Sequence, residues 1–244
     1  MRQTEYEANI WYLLGLTITV GLSSMQFQLA LNGTCQIASA LRYQQDWGND
    51  QGRIDFYITV LSTASIIGIS AGSLFGGDCT LHGPRRTLLQ FNALGLVGSI
   101  LSLSLNFKVM CLGRFFFGLA GGVLLCATSK ILEETIPVRL LDKGFGTSTN
   151  IIMQLFTFAL LLMAIGMPEK QAELQKTNWW RAIYGIQIPF QILVLILHSF
   201  IYTEEPMEFS IAQGNKEEAL KAIRKIFSAE NALTHEAIYS EKLQ

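Results

Sequence analysis

Residues 110–130 read MCLGRFFFGLAGGVLLCATSK, and this stretch decides what kind of fold the chain adopts. Four of its residues are glycine, and Arg114 is the one charged residue before the terminal Lys130. A helix needs about 20 mostly apolar residues to cross the hydrocarbon core of a bilayer. Because no water is available there to bind backbone groups, a helix that satisfies them internally is favoured. The stretch therefore predicts a membrane-spanning helix.

Five further stretches of similar length and character lie on either side of it. The six predicted spans cover approximately residues 11–31, 55–76, 87–107, 110–130, 145–167 and 182–202. They are too long, and alternate too weakly in hydropathy, to be strands of a membrane barrel. We therefore predict an all-α membrane protein, with a six-helix bundle over residues 1–203 and a cytoplasmic helical segment over residues 204–244.

The composition of the 244-residue chain agrees with a membrane protein and disfavours several other classes. Half of the residues are hydrophobic and 15% are charged, compared with about a quarter charged in a soluble domain. A net charge of −1 offers no basic surface for nucleic acid. The four cysteines lack metal-site spacing, and no catalytic or phosphate-binding motif is present. We expect no enzyme activity, no metal and no cofactor.

The distribution of basic residues predicts the orientation in the membrane. If the N-terminus is cytoplasmic, eleven of the 18 basic residues lie on the cytoplasmic side, as the positive-inside rule favours. Both termini are then cytoplasmic, and residues 32–54 form an outer loop that opens with the glycosylation acceptor pattern Asn32-Gly33-Thr34. The pattern does not favour the plasma membrane over an internal one.

Glycines recur every four residues on two of the spans. Gly68, Gly72 and Gly76 form such a ridge on the second span, and Gly118 and Gly122 form one on the fourth. Ridges of this kind let helix backbones approach closely in lipid. They indicate either packing alone or smooth faces along which helices slide during a conformational cycle.

The segment after the last span has the pattern of a surface helix. Asn215 suits an N-cap and Glu218 the reciprocal capping position. An apolar stripe that includes Leu220, Ile223 and Phe227 faces away from the charged residues. We expect this helix to pack against the cytoplasmic loops, followed by a second short helix near residues 229–240.

Six short motifs lie in order at the ends of the spans. They are GGDCTLHGPRR (76–86), GRFFFG (113–118), ETIP (134–137), Trp180-Arg181 with Pro189, EEPMEF (204–209) and GNKEEA (214–219). Together they resemble the signature motifs of the sugar porters of the major facilitator superfamily. The resemblance extends over nearly the whole chain but covers the first six of that family's twelve spans.

The resemblance implies transport of a small polar, hexose-like solute by alternating access. It also implies a second six-span half, which is either a missing C-terminal half or a partner chain, and a pathway lined by the first, second, fourth and fifth spans. Proton-coupled members carry an Asp in the first span, near the position of Ala30. Because no acidic residue lies in the middle of a span here, facilitated diffusion is favoured over proton symport.

Four polar residues are the predicted solute contacts. Asn150 and Gln154 lie one turn apart on one face of the fifth span, and the family's sugar-binding Gln aligns with Asn150. An amide suits a hydroxylated solute because it donates and accepts hydrogen bonds. Structural bonding between helices is the alternative. Gln28 and Arg114 complete the set, and Arg114 is expected either to snorkel to the outer surface or to face the cavity.

Charged residues at the cytoplasmic ends form a predicted gate, in which Arg85 and Arg86 meet acidic side chains. Its members are Asp78, Arg85, Arg86, Glu134, Arg139, Lys143, Glu204 and Glu205. Ordinary positive-inside topology is the alternative explanation for the cations. The alternative function is that of a structural or regulatory membrane subunit that retains the fold without transporting.

Overall fold

The computed structural model describes residues 9–45, 47, 50–137, 140–168, 170–174 and 176–227, with the backbone alone for residues 33–39, 43, 142–143 and 171–172. Ten α-helices account for most of these residues. They are α1 (Ile10–Gln44), α2 (Gln51–Thr80), α3 (Pro84–Ser102), α4 (Phe107–Thr135), α5 (Gly146–Ile165), α6 (Gln171–Leu174), α7 (Trp179–Gly185), α8 (Gln187–Phe200), α9 (Met207–Ala212) and α10 (Lys216–Ile226). The predicted all-helical bundle is confirmed.

The first helix is longer than the sequence predicts. It continues to Gln44, and α2 begins at Gln51, so the expected outer loop over residues 32–54 is mostly helical. The apolar run ends near Asn32, but no proline follows to stop the helix, and buried Ala40 and Leu41 hold its extension against the bundle. The glycosylation acceptor pattern therefore lies within a helix.

Five helical segments of the described chain are long and apolar enough to cross a membrane: Ile10–Asn32, Gln51–Thr80, Phe107–Thr135, Gly146–Ile165 and Trp179–Phe200. The third predicted span, α3, has 19 residues and is more polar. Its helix includes two arginines near the start and Asn92 in the middle. Protein contacts surround its polar side, since Thr87, Asn92 and Ser99 are all buried.

Glycines on three sides of α4 make it the central helix of the bundle. A Cβ added to Gly118 would lie 2.2 Å from the carbonyl oxygen of Ser65 on α2. One added to Gly113 would lie 2.6 Å from the backbone nitrogen of Ser102 on α3, and one on Gly121 would lie 3.1 Å from Phe27 Cα on α1. The backbones of α2 and α3 thus approach α4 to distances that exclude a Cβ, and that of α1 approaches to a distance that would be tight for one.

The sixth predicted span is broken into α7 and α8 by a proline. Pro189 has no N–H to donate to the carbonyl of Gly185, and its ring crowds that carbonyl. The regular helix is interrupted at Ile186 as a result. The outer end of this span is tied to α1, because Trp180 Nε1 donates a hydrogen bond of 2.7 Å to Gln44 Oε1.

The helix predicted after the last span is confirmed as α10. Asn215 Oδ1 accepts a hydrogen bond of 3.4 Å from the Glu218 backbone, and Ile223 and Ile226 are buried. The Asn9 backbone N–H donates to the carbonyl of Ile226 at 2.8 Å, so α10 also holds the start of α1. The second helix predicted near residues 229–240 lies outside the described residues.

The glycine contacts predict that Gly72→Ala destabilises the bundle. The new Cβ would lie 2.2 Å from the Leu119 carbonyl oxygen, so α2 and α4 must separate, at a cost of about 1–3 kcal/mol. Thermal unfolding of the detergent-solubilised protein should show a lower midpoint. Gly77→Ala is the matched control, since a Cβ there meets nothing within 4 Å. Equal midpoints for the two variants would contradict the proposed role of the contact.

Candidate functional site

The two amides predicted on the fifth span lie together on an open face of α5. Asn150 and Gln154 are both exposed, and with Thr147, Ile151 and Leu155 they line a shallow concave surface. The opposite face of α5 packs into the bundle through Met153, Phe156 and Leu160, which are buried. The structure thus directs both amides away from the bundle that holds the helix.

A turn with a required glycine sets the start of α5. Leu141–Phe145 form a π-helical turn, and Gly144 within it has a φ of 110°. Side chains other than glycine rarely adopt this backbone conformation. The turn redirects the chain from α4 into α5. On α1, the absence of a side chain at Gly21 makes room for Ile152 of α5, whose Cδ1 lies 2.5 Å from the position that a Cβ on Gly21 would take. Backbone geometry therefore orients the face that carries Asn150 and Gln154.

Arg114 lies inside the bundle and does not snorkel to the surface. It is 1% exposed, and its Nη2 donates to the carbonyl oxygens of Ala30 at 2.8 Å and Leu29 at 3.5 Å. The guanidinium carbon lies 4.9 Å from the ring centroid of Tyr184 on α7. Hydrogen bonds and an aromatic face compensate for the loss of hydration. Arg114 therefore connects α4 with α1 and α7.

Gln28, the remaining predicted solute contact, is half-buried on α1. It lies two residues before Ala30, which accepts the bond from Arg114. Contact of any of these four residues with a solute stays a prediction. The structure brings Asn150 and Gln154 onto one surface and places Arg114 against the backbone of the helix that carries Gln28.

Among the predicted gate residues, the structure joins Arg85, Arg86 and Glu205. The Glu205 carboxylate accepts hydrogen bonds from the backbone N–H groups of Arg85 at 2.9 Å and Arg86 at 3.1 Å. It thus caps the N-terminus of α3, where partial positive charge accumulates. The Arg86 side chain approaches the same carboxylate to 3.8 Å but is itself well exposed.

The Arg85 side chain completes a reciprocal cap. Its guanidinium donates to the carbonyl oxygens of His198 and Tyr202 at the end of α8, both at 2.6 Å. The cation therefore stabilises the C-terminus of α8, while the acid that follows α8 stabilises the N-terminus of α3. The sequence predicted a charge pair here. It could not show that most of the contacts are to backbone groups.

The other predicted gate residues do not join this cluster. Glu204 pairs with Lys225 on α10 at 2.5 Å, and Glu134 pairs with Lys130, one turn away on α4, at 3.8 Å. Asp78 is exposed. Arg139 lies outside the described residues, and Lys143 is described by its backbone alone. Sequence reasoning missed Lys225, although its place on the helix after EEP was a usable signal.

The two neighbouring acids differ in their electrostatic surroundings. Partial burial opposes the charge of Glu204, but hydrogen bonds from Lys225 and Thr203 outweigh it and lower the pKa of that carboxyl. At Glu205 burial is the larger effect and raises the pKa, although the backbone donors of Arg85 and Arg86 act against it. Acidification therefore neutralises Glu205 before Glu204.

One family model matches nearly the whole chain. The model describes sugar (and other) transporters, and it matches residues 14–242. This range includes every predicted span except the start of the first, together with all the candidate solute and gate residues.

Several characterised transporters are similar in sequence. Hexose transporter 1 of Toxoplasma gondii is 26% identical over 184 residues, which cover 72% of this chain and 32% of the relative. Hexose transporter 1 of Plasmodium vivax (strain Brazil I) is 29% identical over 70% of this chain and 36% of its own. Human solute carrier family 2, facilitated glucose transporter member 9, is 27% identical, over 75% of this chain and 34% of its own length. The chain spans about a third of the length of the curated relatives it matches.

Solved structures share the fold. The proton:xylose symporter XylE bound to 6-bromo-6-deoxy-D-glucose matches with a TM-score of 0.77 and 16% identity, over 96% of this chain and 54% of that one. A partially occluded, inward-open conformation of XylE from E. coli gives the same TM-score and covers 58% of that chain. The bundle is thus a six-helix half of the major facilitator fold.

The reciprocal cap predicts that Glu205→Ala destabilises the junction of α3 and α8. Two N-terminal N–H groups of α3 lose their acceptor, at a cost of about 0.5–2 kcal/mol. Thermal unfolding should show a lower midpoint than for Glu208→Ala, the matched control, because Glu208 is exposed on α9. If both variants unfold like the parent protein, the cap does not contribute to stability.

Proposed function

Because the chain belongs to the sugar transporter family of the major facilitator superfamily, we propose that it forms the N-terminal six-helix half of a transporter. The transported solute is a hexose or a similar hydroxylated molecule, and the mechanism is alternating access. The observation that carries the proposal is the open, amide-bearing face of α5. The chain is an integral, multi-pass membrane protein, and we place both termini in the cytoplasm on the basis of its basic residues.

Exposed amides on a membrane-embedded helix need polar surroundings. Lipid offers Asn150 and Gln154 no hydrogen-bonding partner, so a face that carries them meets water, solute or another protein surface. An amide can both donate to and accept from a sugar hydroxyl. A second six-helix half opposite α5 would enclose the solute between the two faces and complete the site.

The surroundings of Arg114 support facilitated diffusion. Proton coupling requires an acid that is neutralised and released on alternate faces of the membrane. The family's proton-coupled members carry an Asp near the position of Ala30, whose carbonyl oxygen accepts the bond from Arg114 in this chain. The guanidinium thus binds a group that does not titrate. XylE, which shares the fold, is described as a proton symporter, so the two mechanisms can be compared directly.

The cytoplasmic charges support a gate with fewer members than the sequence predicts. Arg85 and Glu205 cap helices within this half and would hold its cytoplasmic ends together. Arg86 and Asp78 remain exposed, so they are the residues we propose to meet the second half when the cytoplasmic side closes. Exposed ion pairs contribute about 0–1 kcal/mol each, which suits a contact that must form and break in every cycle.

Replacing Asn150 and Gln154 together by Ala should reduce hexose uptake. Loss of two hydrogen-bonding side chains is expected to raise KM roughly 5- to 150-fold, because each hydrogen bond to a neutral solute contributes about 0.5–1.5 kcal/mol. Uptake of labelled D-glucose into vesicles that contain the full gene product measures this.

The matched control is Gln90→Ala, which removes an exposed amide from α3 and should leave KM unchanged. Absence of uptake by the parent protein for every hexose tested, with the chain recovered in a stable complex, would instead favour the structural or regulatory subunit.

Ala30→Asp should make uptake respond to a proton gradient. The new carboxylate would stand beside the buried guanidinium of Arg114 and provide a titratable partner. Uptake by the parent protein should be the same with and without an inside-alkaline gradient, whereas uptake by the variant should change. Faster uptake by the parent protein under the gradient would show that the transporter is already proton-coupled and that facilitated diffusion is the wrong mechanism.

A further inference from the structure

A buried amide on α3 holds two successive turns of α1. Asn92 is completely buried. Its Oδ1 accepts a hydrogen bond of 2.8 Å from Gln26 Nε2, and its Nδ2 donates to Ser23 Oγ at 3.1 Å. The same Nδ2 donates to the carbonyl of Leu88 on its own helix at 3.0 Å. Because Ser23 and Gln26 are three residues apart, both lie on one face of α1.

Gly95, one turn after Asn92, brings Gln26 against the α3 backbone. A Cβ on Gly95 would lie 2.0 Å from Gln26 Oε1 and 3.2 Å from Gln191 Nε2 of α8. The Gln26 side chain therefore occupies the space that a side chain at position 95 would need. On the far side of Gly95, Gln191 Oε1 accepts a hydrogen bond of 3.1 Å from Ser99. Side chains from α1 and α8 thus meet at one glycine of α3.

These contacts oppose rotation of α1 about its own axis, in addition to its packing against α4 and α5. A single hydrogen bond leaves a helix free to pivot, but two bonds on successive turns oppose both rotation and sliding. Successive residues of an α-helix are separated by about 100° around the axis. Gln28, two residues after Gln26, therefore points to nearly the opposite side of α1, and it is half-buried where Gln26 is fully buried.

We propose that Asn92, with Gly95, is a positioning residue that fixes the rotation of α1 and so aims Gln28 at the solute pathway. Asn92 is completely buried, so on this proposal it acts through Gln28 and not by contact with the solute. The inference rests on the proposed function and on the prediction that Gln28 contacts the solute, but the orientation of α1 can be measured independently of transport.

Asn92→Ser is the informative variant, because a serine at this position can satisfy its own hydroxyl, although Gln26 Nε2 loses its acceptor. Elsewhere on α3, Ser99 and Ser102 satisfy their hydroxyls by donating to carbonyls four residues earlier, at 2.7 and 2.8 Å. A serine at position 92 can bond to Leu88 in the same way. It remains satisfied within α3 but no longer reaches Ser23 or Gln26.

The matched control is Thr128→Val, which removes another buried contact of α1. Thr128 Oγ1 accepts a hydrogen bond of 3.1 Å from Ser24, which also bonds to a carbonyl within α1. This change removes one bond between α1 and α4 without removing the two-turn contact with α3. A general loss of packing would affect both variants alike.

The experiment has two readouts. In the first, a cysteine replaces Gln28 in a chain whose four native cysteines are changed to serine, and its rate of reaction with a membrane-impermeant maleimide is measured. We expect reaction in the parent chain, a severalfold change with Asn92→Ser, and no change with Thr128→Val. In the second, with Gln28 retained, Asn92→Ser should raise KM for hexose roughly two- to tenfold, as expected if the Gln28 hydrogen bond to the solute is lost, while Thr128→Val leaves it unaltered.

The outcomes separate the two proposals. Equal maleimide rates in the parent and Asn92→Ser chains would overturn the positioning role, and so would equal changes in both variants. Failure of the cysteine at position 28 to react would also overturn it, because Gln28 would then not face a water-accessible pathway. If Asn92→Ser changes the maleimide rate but the protein takes up no solute, the role of Asn92 in orienting α1 is supported and the proposed transport is refuted.

Discussion

The backbone contact between α2 and α4 is the constraint on which the rest of the bundle depends. Gly68 and Gly72 of α2 lie against the backbone of α4 around Gly118 and Gly122, at distances that leave no room for a Cβ, and Gly76 lies against Val123 and Cys126. In lipid, helices gain little from the hydrophobic effect when they associate, so close packing supplies much of the stabilisation. With α2 fixed on one side of α4, α3 and α1 occupy the other glycine-bearing sides. The packing role of the ridges is therefore established, and the sliding role stays a hypothesis.

Three charged side chains of this bundle are held mainly by backbone groups. Arg114 donates to carbonyls of α1, Arg85 donates to carbonyls at the end of α8, and Glu205 accepts from the start of α3. A charge buried without partners would cost several kcal/mol. These contacts have a functional consequence: a residue that caps a helix within one half is less free to exchange partners between two halves. The exposed charges are the better candidates for contacts that change during a transport cycle.

The helix that carries the candidate solute amides is held differently from the others. The sequence of α5 shows two amides one turn apart, which predicts that they share a face, and the structure confirms the shared face. Which way that face points depends on the π-turn at Leu141–Phe145 and on the packing of α5 against Gly21 and the rest of α1. Spacing along one helix gives no information about that direction, because it is set by the turn before the helix and by α1, whose residues lie more than a hundred positions away.

Hydrophobic run length by itself determined that this is a helical membrane protein, because about 20 apolar residues are what a bilayer requires of a helix. The ordered motifs likewise identified the sugar porter family before any fold was seen. The tertiary structure alone decided that α1 continues to Gln44, that Arg114 is enclosed between α1 and α7, and that Asn92 binds Ser23 and Gln26. Each of these depends on which helix faces meet. A hydropathy pattern indicates whether a residue can face lipid, but it does not indicate which residue will lie next to it.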